Sequence, residues 1–128
     1  MIGWLLQDWV TIRATNAPVT SIAQGADAWL DIGDYEDLAF FLDVREVTNA
    51  STRLVYETSP TKQEQSFAAM VGAFAPAVGQ RVDRAFSSLG AIPPARFVRW
   101  RLSLAAGGSG NWDVTFRVWV TAYAWVKG

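Results

Sequence analysis

Asp31, Asp34, Glu36 and Asp37 form the densest group of carboxylates in the sequence, and oxygen ligands so spaced can hold Ca²⁺ in a loop of a β-rich domain. The run lacks the alternating acids and the central glycine of an EF-hand loop, so a solvated turn is the favoured reading and no metal site is assigned. Asp43, Glu46 and Glu57 fall on neighbouring predicted strands, and a pair of acids across a cleft is the equipment of a glycoside hydrolase. Asp43 and Glu57 sit beside Arg45 and Arg53, however, where cross-strand ion pairing is the simpler role. The chain has no cysteine and no histidine. It therefore has no thiolate nucleophile, no disulfide framework and no Cys-based metal site, and it lacks the commonest general base and zinc ligand. No catalytic residue and no cofactor is assigned, and the sequence reads as that of a non-enzyme.

The basic and aromatic residues carry more information. If the last third of the chain is a strand pair, Arg99, Arg101 and Arg117 line up on one sheet face with Trp119 and Thr121. Such a strip can bind phosphates or stacked bases. Against nucleic acid stand two lysines in all, an isoelectric point near 5.3 and no RNA-binding signature. An interface between protein subunits is favoured, because arginine makes bidentate carboxylate pairs well at interfaces. Trp4 and Trp9, in the N-terminal segment, join this candidate set. Trp112, Tyr35 and Trp29 fall in or beside predicted loops, where flat aromatics can stack on sugar rings. A carbohydrate-binding module is thus the alternative, set against the use of these rings to cap the ends of a core. Gly107-Gly108-Ser109-Gly110 precedes no helix and is read as a loop tip rather than a phosphate loop.

The elements that must position these residues are strands. Val98, Trp100, Leu102 and Leu104 alternate with Phe97, Arg99, Arg101 and Ser103, and Val114, Phe116, Val118 and Val120 alternate with Thr115, Arg117, Trp119 and Thr121. The Gly-rich segment between them predicts a hairpin. Leu38, Phe40, Leu42 and Val44 share one face of a strand over 38–47, and a turn at 48–51 predicts an antiparallel partner over 52–58. Residues 2–15 read as a strand, with a bulge or break near Asp8, and 1–15 can equally be an arm pairing with a neighbour. Thr61 and Glu64 have capping-box spacing ahead of Phe67, Met70, Val71 and Phe74, which predicts a short helix over 62–74. Residues 75–95, rich in Pro and Gly, read as a long excursion between strands. A strand pair with one apolar face needs a second layer over it. The expected fold is all-β, an antiparallel β-sandwich or jelly roll with one short helical insertion, in a single domain over 1–128.

Charge is divided along the chain. Residues 1–64 carry four basic and ten acidic groups, net −6, and residues 65–128 carry seven basic and two acidic groups, net +5. Either the two halves pair inside the domain, or they form a bipolar surface for contacts between identical subunits. Seven Trp and seven Phe are a heavy aromatic load for one small sandwich, consistent with contacts to other chains. The N-terminal residues lack a basic region and meet Asp8 early, unlike a signal peptide, and no apolar run is long enough for a membrane helix. The expected location is a cytoplasm or a particle assembled there.

The run Leu54-Val55-Tyr56-Glu57-Thr58-Ser59-Pro60-Thr61, with Arg96-Phe97-Val98-Arg99-Trp100-Arg101-Leu102 and Phe116-Arg117-Val118-Trp119, resembles small β-sandwich proteins encoded among phage and prophage-like particle genes. The Arg-aromatic-Val-Arg strand bears a weaker resemblance to discoidin-like carbohydrate-binding domains. The first resemblance implies a virion structural role such as capsid decoration. Its partners would be other copies of the chain or a major capsid protein, with neither nucleic acid nor membrane, and a homo-oligomer is expected. Neither resemblance carries over a catalytic residue.

Overall fold

The computed structural model describes residues 2–14, 21–33, 35–70, 72–86 and 92–123. Its strands are β1 (Ile2–Ala14), β2 (Ser21–Ala23), β3 (Leu30–Asp31), β4 (Asp37–Thr48), β5 (Thr52–Ser59), β6 (Ala68–Ala69), β7 (Gly79–Phe86), β8 (Phe97–Leu104) and β9 (Trp112–Tyr123). They form two antiparallel sheets packed face to face. The front sheet has the order β1-β9-β4-β7, and the back sheet the order β2-β8-β5-β6, with β3 also on β8. This is the expected all-β sandwich. Among the described residues no helix is long and apolar enough to cross a membrane.

The alternating residues behave as their period requires. Leu38, Phe40, Leu42 and Val44 of β4, Val98, Trp100 and Leu102 of β8, and Val114, Phe116, Val118 and Val120 of β9 are all buried between the sheets. Two aromatic contacts span the gap. Phe40 stacks on Tyr56 with ring centroids 4.0 Å apart, and Trp100 meets Phe116 edge-on at 5.1 Å. Such pairs stabilise by more than their buried area alone.

Strand connectivity corrects the sequence reading in two places. β4 and β5 are consecutive but do not pair, and neither do β8 and β9; each connection crosses from one sheet to the other. Asn49 makes the first crossing possible by taking a left-handed backbone, φ 74°, which asparagine tolerates better than most residues. Its side-chain amide donates to the carbonyls of Ser109 and Asn111 in the second crossing, and its side-chain oxygen accepts from the Ser51 amide. The two arches stack tightly enough that a Cβ at Gly108 would lie 2.7 Å from that of Ser51. An alternating pattern reports that one face is buried. It does not report whether the covering layer is the next strand or the opposite sheet.

The helix expected over 62–74 shrinks to a 3₁₀ turn, Glu64–Ser66. The chain then extends beside β5, where the Met70 amide donates to the Tyr56 carbonyl and Phe74 and Leu54 exchange backbone bonds. Met70 and Phe74 are buried by this extended route, so pairing to a sheet edge overrides their helical spacing. The excursion over 75–95 contains β7, which pairs with β4 along its whole length. Thr15, Asp34, Val71 and residues 87–91 lie outside the described residues.

The N-terminal segment is a strand of the same domain, paired antiparallel with β9. Its register shifts between Leu5 and Val10, the bulge expected near Asp8. The bulge frees the Leu6 carbonyl from the ladder, and buried Gln24 fills the gap by donating its side-chain amide to it. Gln24 also accepts the Trp100 amide on its side-chain oxygen and the Trp29 indole N–H on its carbonyl. One residue thereby ties the front sheet to the back.

Candidate functional site

The four arginine-strip residues do not share a face. Arg99 and Arg101 lie on β8 in the back sheet, whereas Arg117 and Trp119 lie on β9 in the front sheet. The expected single strip is corrected by the crossing between β8 and β9.

On the back sheet, outward-pointing Arg99 is only 2% exposed. Its Nε donates to Glu57 Oε1 at 2.9 Å, across the β5–β8 pair, and its Nη1 lies 3.4 Å from Glu64. The guanidinium lies 4.0 Å from the Phe67 ring centre and 5.4 Å from that of Trp29, both brought over it by chain outside the strands. Trp29 and Phe67 also meet edge-on, closing the cover. Arg101 is half-buried at the margin, 3.7 Å from the other Glu57 oxygen. A buried carboxylate between two arginines, one of them roofed by aromatic rings, is a structural centre with no opening to a ligand.

The front sheet is arranged differently. Leu5 pairs with Trp119, Trp119 with Phe41, and Phe41 with Val82, so one row crosses all four strands with only large apolar side chains pointing outward. These side chains are 39%, 45%, 42% and 56% exposed in that order. The adjacent row holds Trp9, Arg117 and Asp43. The Arg117 and Asp43 side chains approach to 3.8 Å, and Trp9 lies under the guanidinia of Arg117 and Arg45 at 4.9 and 4.2 Å. On the other side of the row Arg84 donates to Asp37 at 2.7 Å. Each of these two front-face arginines thus has an aspartate beside it, and the apolar row runs between two ion pairs.

Trp4 lies toward the sandwich interior, edge-on to Tyr35 with ring centres 5.5 Å apart. Tyr35 is half-buried by that contact, Trp29 is roofing Arg99, and Trp112 is 1% exposed inside the core. The three rings weighed for sugar stacking therefore make no common platform. Phe41, Val82 and Leu5 were not among the expected site residues. Phe41 carried a signal, since it occupies the outward parity of β4 with Asp37 and Asp43, where a polar residue is the norm.

The acidic turn is also occupied. Asp31 accepts from Arg96 and from the Gly33 amide, and these two bonds hold its carboxyl below the usual carboxylate range. Asp83 accepts both Arg81 donors, which raises the already high ionisation of that guanidinium. Burial, and then the charge of Asp83, push Tyr56 far above the ordinary phenol range, so it stays neutral. Acids of the first half meet arginines of the second at Asp31–Arg96, Asp37–Arg84, Asp43–Arg117 and Glu57–Arg99. Pairing inside the domain thus absorbs much of the charge division.

The fold is that of an antiparallel two-sheet sandwich with one covered and one bare outer face. In comparison with known proteins, no family model matches the chain and no curated protein sequence matches it significantly.

Proposed function

We propose that this chain is a non-enzymatic structural subunit that docks through the outer face of its front sheet onto other protein subunits of a larger particle. The virion or capsid-decoration particle suggested by its strand motifs is the favoured setting. The observation that carries the reading is the unbroken row Leu5, Trp119, Phe41 and Val82. Isolated apolar side chains are common on any surface, but a contiguous row of four across a whole sheet is the pattern of an interface core. Aromatic rings at the centre with charged groups at the rim match the anatomy of a protein contact.

The test is co-sedimentation of the full chain with particles from cells that produce it. The parent chain is expected in the particle fraction, and Trp119→Glu and Phe41→Glu in the supernatant with their folds intact. A parent chain that stays in the supernatant, or variants that still travel with particles, would overturn the reading.

A further inference from the structure

We infer that the front face takes a second copy of this chain, packed face to face about a two-fold axis running parallel to the strands between β4 and β9. The inference rests on the docking reading above and adds the identity of the partner. Its basis is the register of the sheet. Outward residues of β4 and β9 stand side by side as Ala39 with Thr121, Phe41 with Trp119, and Asp43 with Arg117. At the two margins, the Phe41 row ends on Val82 of β7 and Leu5 of β1, and the Ala39 row on Arg84 and Gly3.

A half-turn about that axis lays β4 of one copy over β9 of the other and β7 over β1, keeping every residue in its own row. Phe41 then meets Trp119 of the second copy, and Val82 meets Leu5. Asp43 meets Arg117 of the second copy, and the symmetry repeats the contact. Gly3, with no side chain, lies opposite Arg84. The charge fit favours this axis over one lying along the apolar row. A half-turn about the apolar row itself sets Asp37 against Glu46 of the second copy and leaves Asp43 and Arg117 facing Ala39 and Thr121. Within one chain Asp43 and Arg117 stand 3.8 Å apart and both side chains remain about one-third exposed, so each has surface left for a second charged partner. Facing sheets about 10 Å apart with nearly aligned strands are a standard packing.

Sedimentation velocity on the full chain tests the arrangement. The parent chain is expected to sediment as a dimer, and Asp43→Arg and Arg117→Asp each to weaken it by about thirtyfold or more. An equimolar mixture of the two variants is expected to recover the dimer, because every contact across the two-fold then joins opposite charges. The double variant D43R/R117D, which reverses the pair within each chain as well, is expected to dimerise alone, and it serves if a single variant folds poorly by circular dichroism. A parent chain that is monomeric at all concentrations, single variants that dimerise like the parent, or folded variants that fail to recover on mixing would each overturn the inference. A monomeric parent whose co-sedimentation with particles is still lost in Trp119→Glu would overturn the dimer and leave the docking reading standing.

Discussion

The two outer faces of this sandwich invert the usual relation between residue type and exposure. The back sheet points Arg99 and Glu57 outward, and both are buried under loop-borne Phe67 and Trp29. The front sheet points Leu5, Trp119, Phe41 and Val82 outward, and all four are exposed. A charged pair under a roof is held by hydrogen bonds and ring contacts, and removing one partner strands the other in a poor solvent. An apolar row without a roof contributes little to the folded chain and has most of its burial still to gain from another molecule. The difference places a buried structural pair under one face and leaves the other free for the proposed association.

Substitutions on the two faces differ in their expected cost to stability. Glu57→Ala leaves Arg99 buried without its carboxylate and is expected to lower unfolding free energy by about 3–5 kcal/mol in denaturant titration. Replacing both members, as in Glu57→Leu with Arg99→Met, should recover most of that loss; if it does not, the pair does more than satisfy itself. Phe67→Ala removes the ring over Arg99 and is expected to cost about 2 kcal/mol by the same measurement. Measured at concentrations where the chain is monomeric, Trp119→Ser and Phe41→Ser on the bare face should stay within about 0.5 kcal/mol of the parent. A large loss there would mean that the row supports the fold rather than an interface.

The smallest effect belongs to Asp31. Its folded ionisation lies below its unfolded value, so its charge stabilises the folded chain above about pH 3.9, and that contribution disappears as pH falls through the lower, folded value. Asp31→Asn should flatten the stability profile in that acidic window, lying slightly below the parent near neutrality and converging with it at low pH. Because the group is exposed, melting temperatures measured across the window are the suitable readout.

The inward residues of this fold were legible from alternation alone. Val98, Trp100, Leu102, Phe116 and Val118 are where a period of two places them, and Asp8 marked the bulge in β1. What alternation could not supply was the partner of each strand. A turn that reverses the chain within one sheet and an arch that carries it to the other look alike in a list of Asn, Ser and Gly. The expected arginine strip failed for that reason. Met70 and Phe74 misled differently, since helical spacing competes poorly with an open strand edge whose carbonyls need donors. Of the candidate site, Trp119 was identified and Phe41 overlooked, although its neighbours of the same parity were noted. Leu5 stands opposite the inward Trp4 and Leu6, as alternation in β1 requires, but was not singled out, and Val82 lay in a segment read as irregular.

The bulge in β1 has a consequence for growth. The front sheet ends on β1 at one side and β7 at the other, and two such edges of opposite direction would let identical sheets add without limit. In β1 the register shifts between Leu5 and Val10, and exposed Asp8 sits inside the irregular stretch. In β7 the edge carries Arg81, Asp83 and Arg84. Neither edge offers the flat, uncharged ladder that a fibre requires. The edges thereby disfavour open-ended growth and leave the face for contact, where the proposed two-fold arrangement would be complete at two copies.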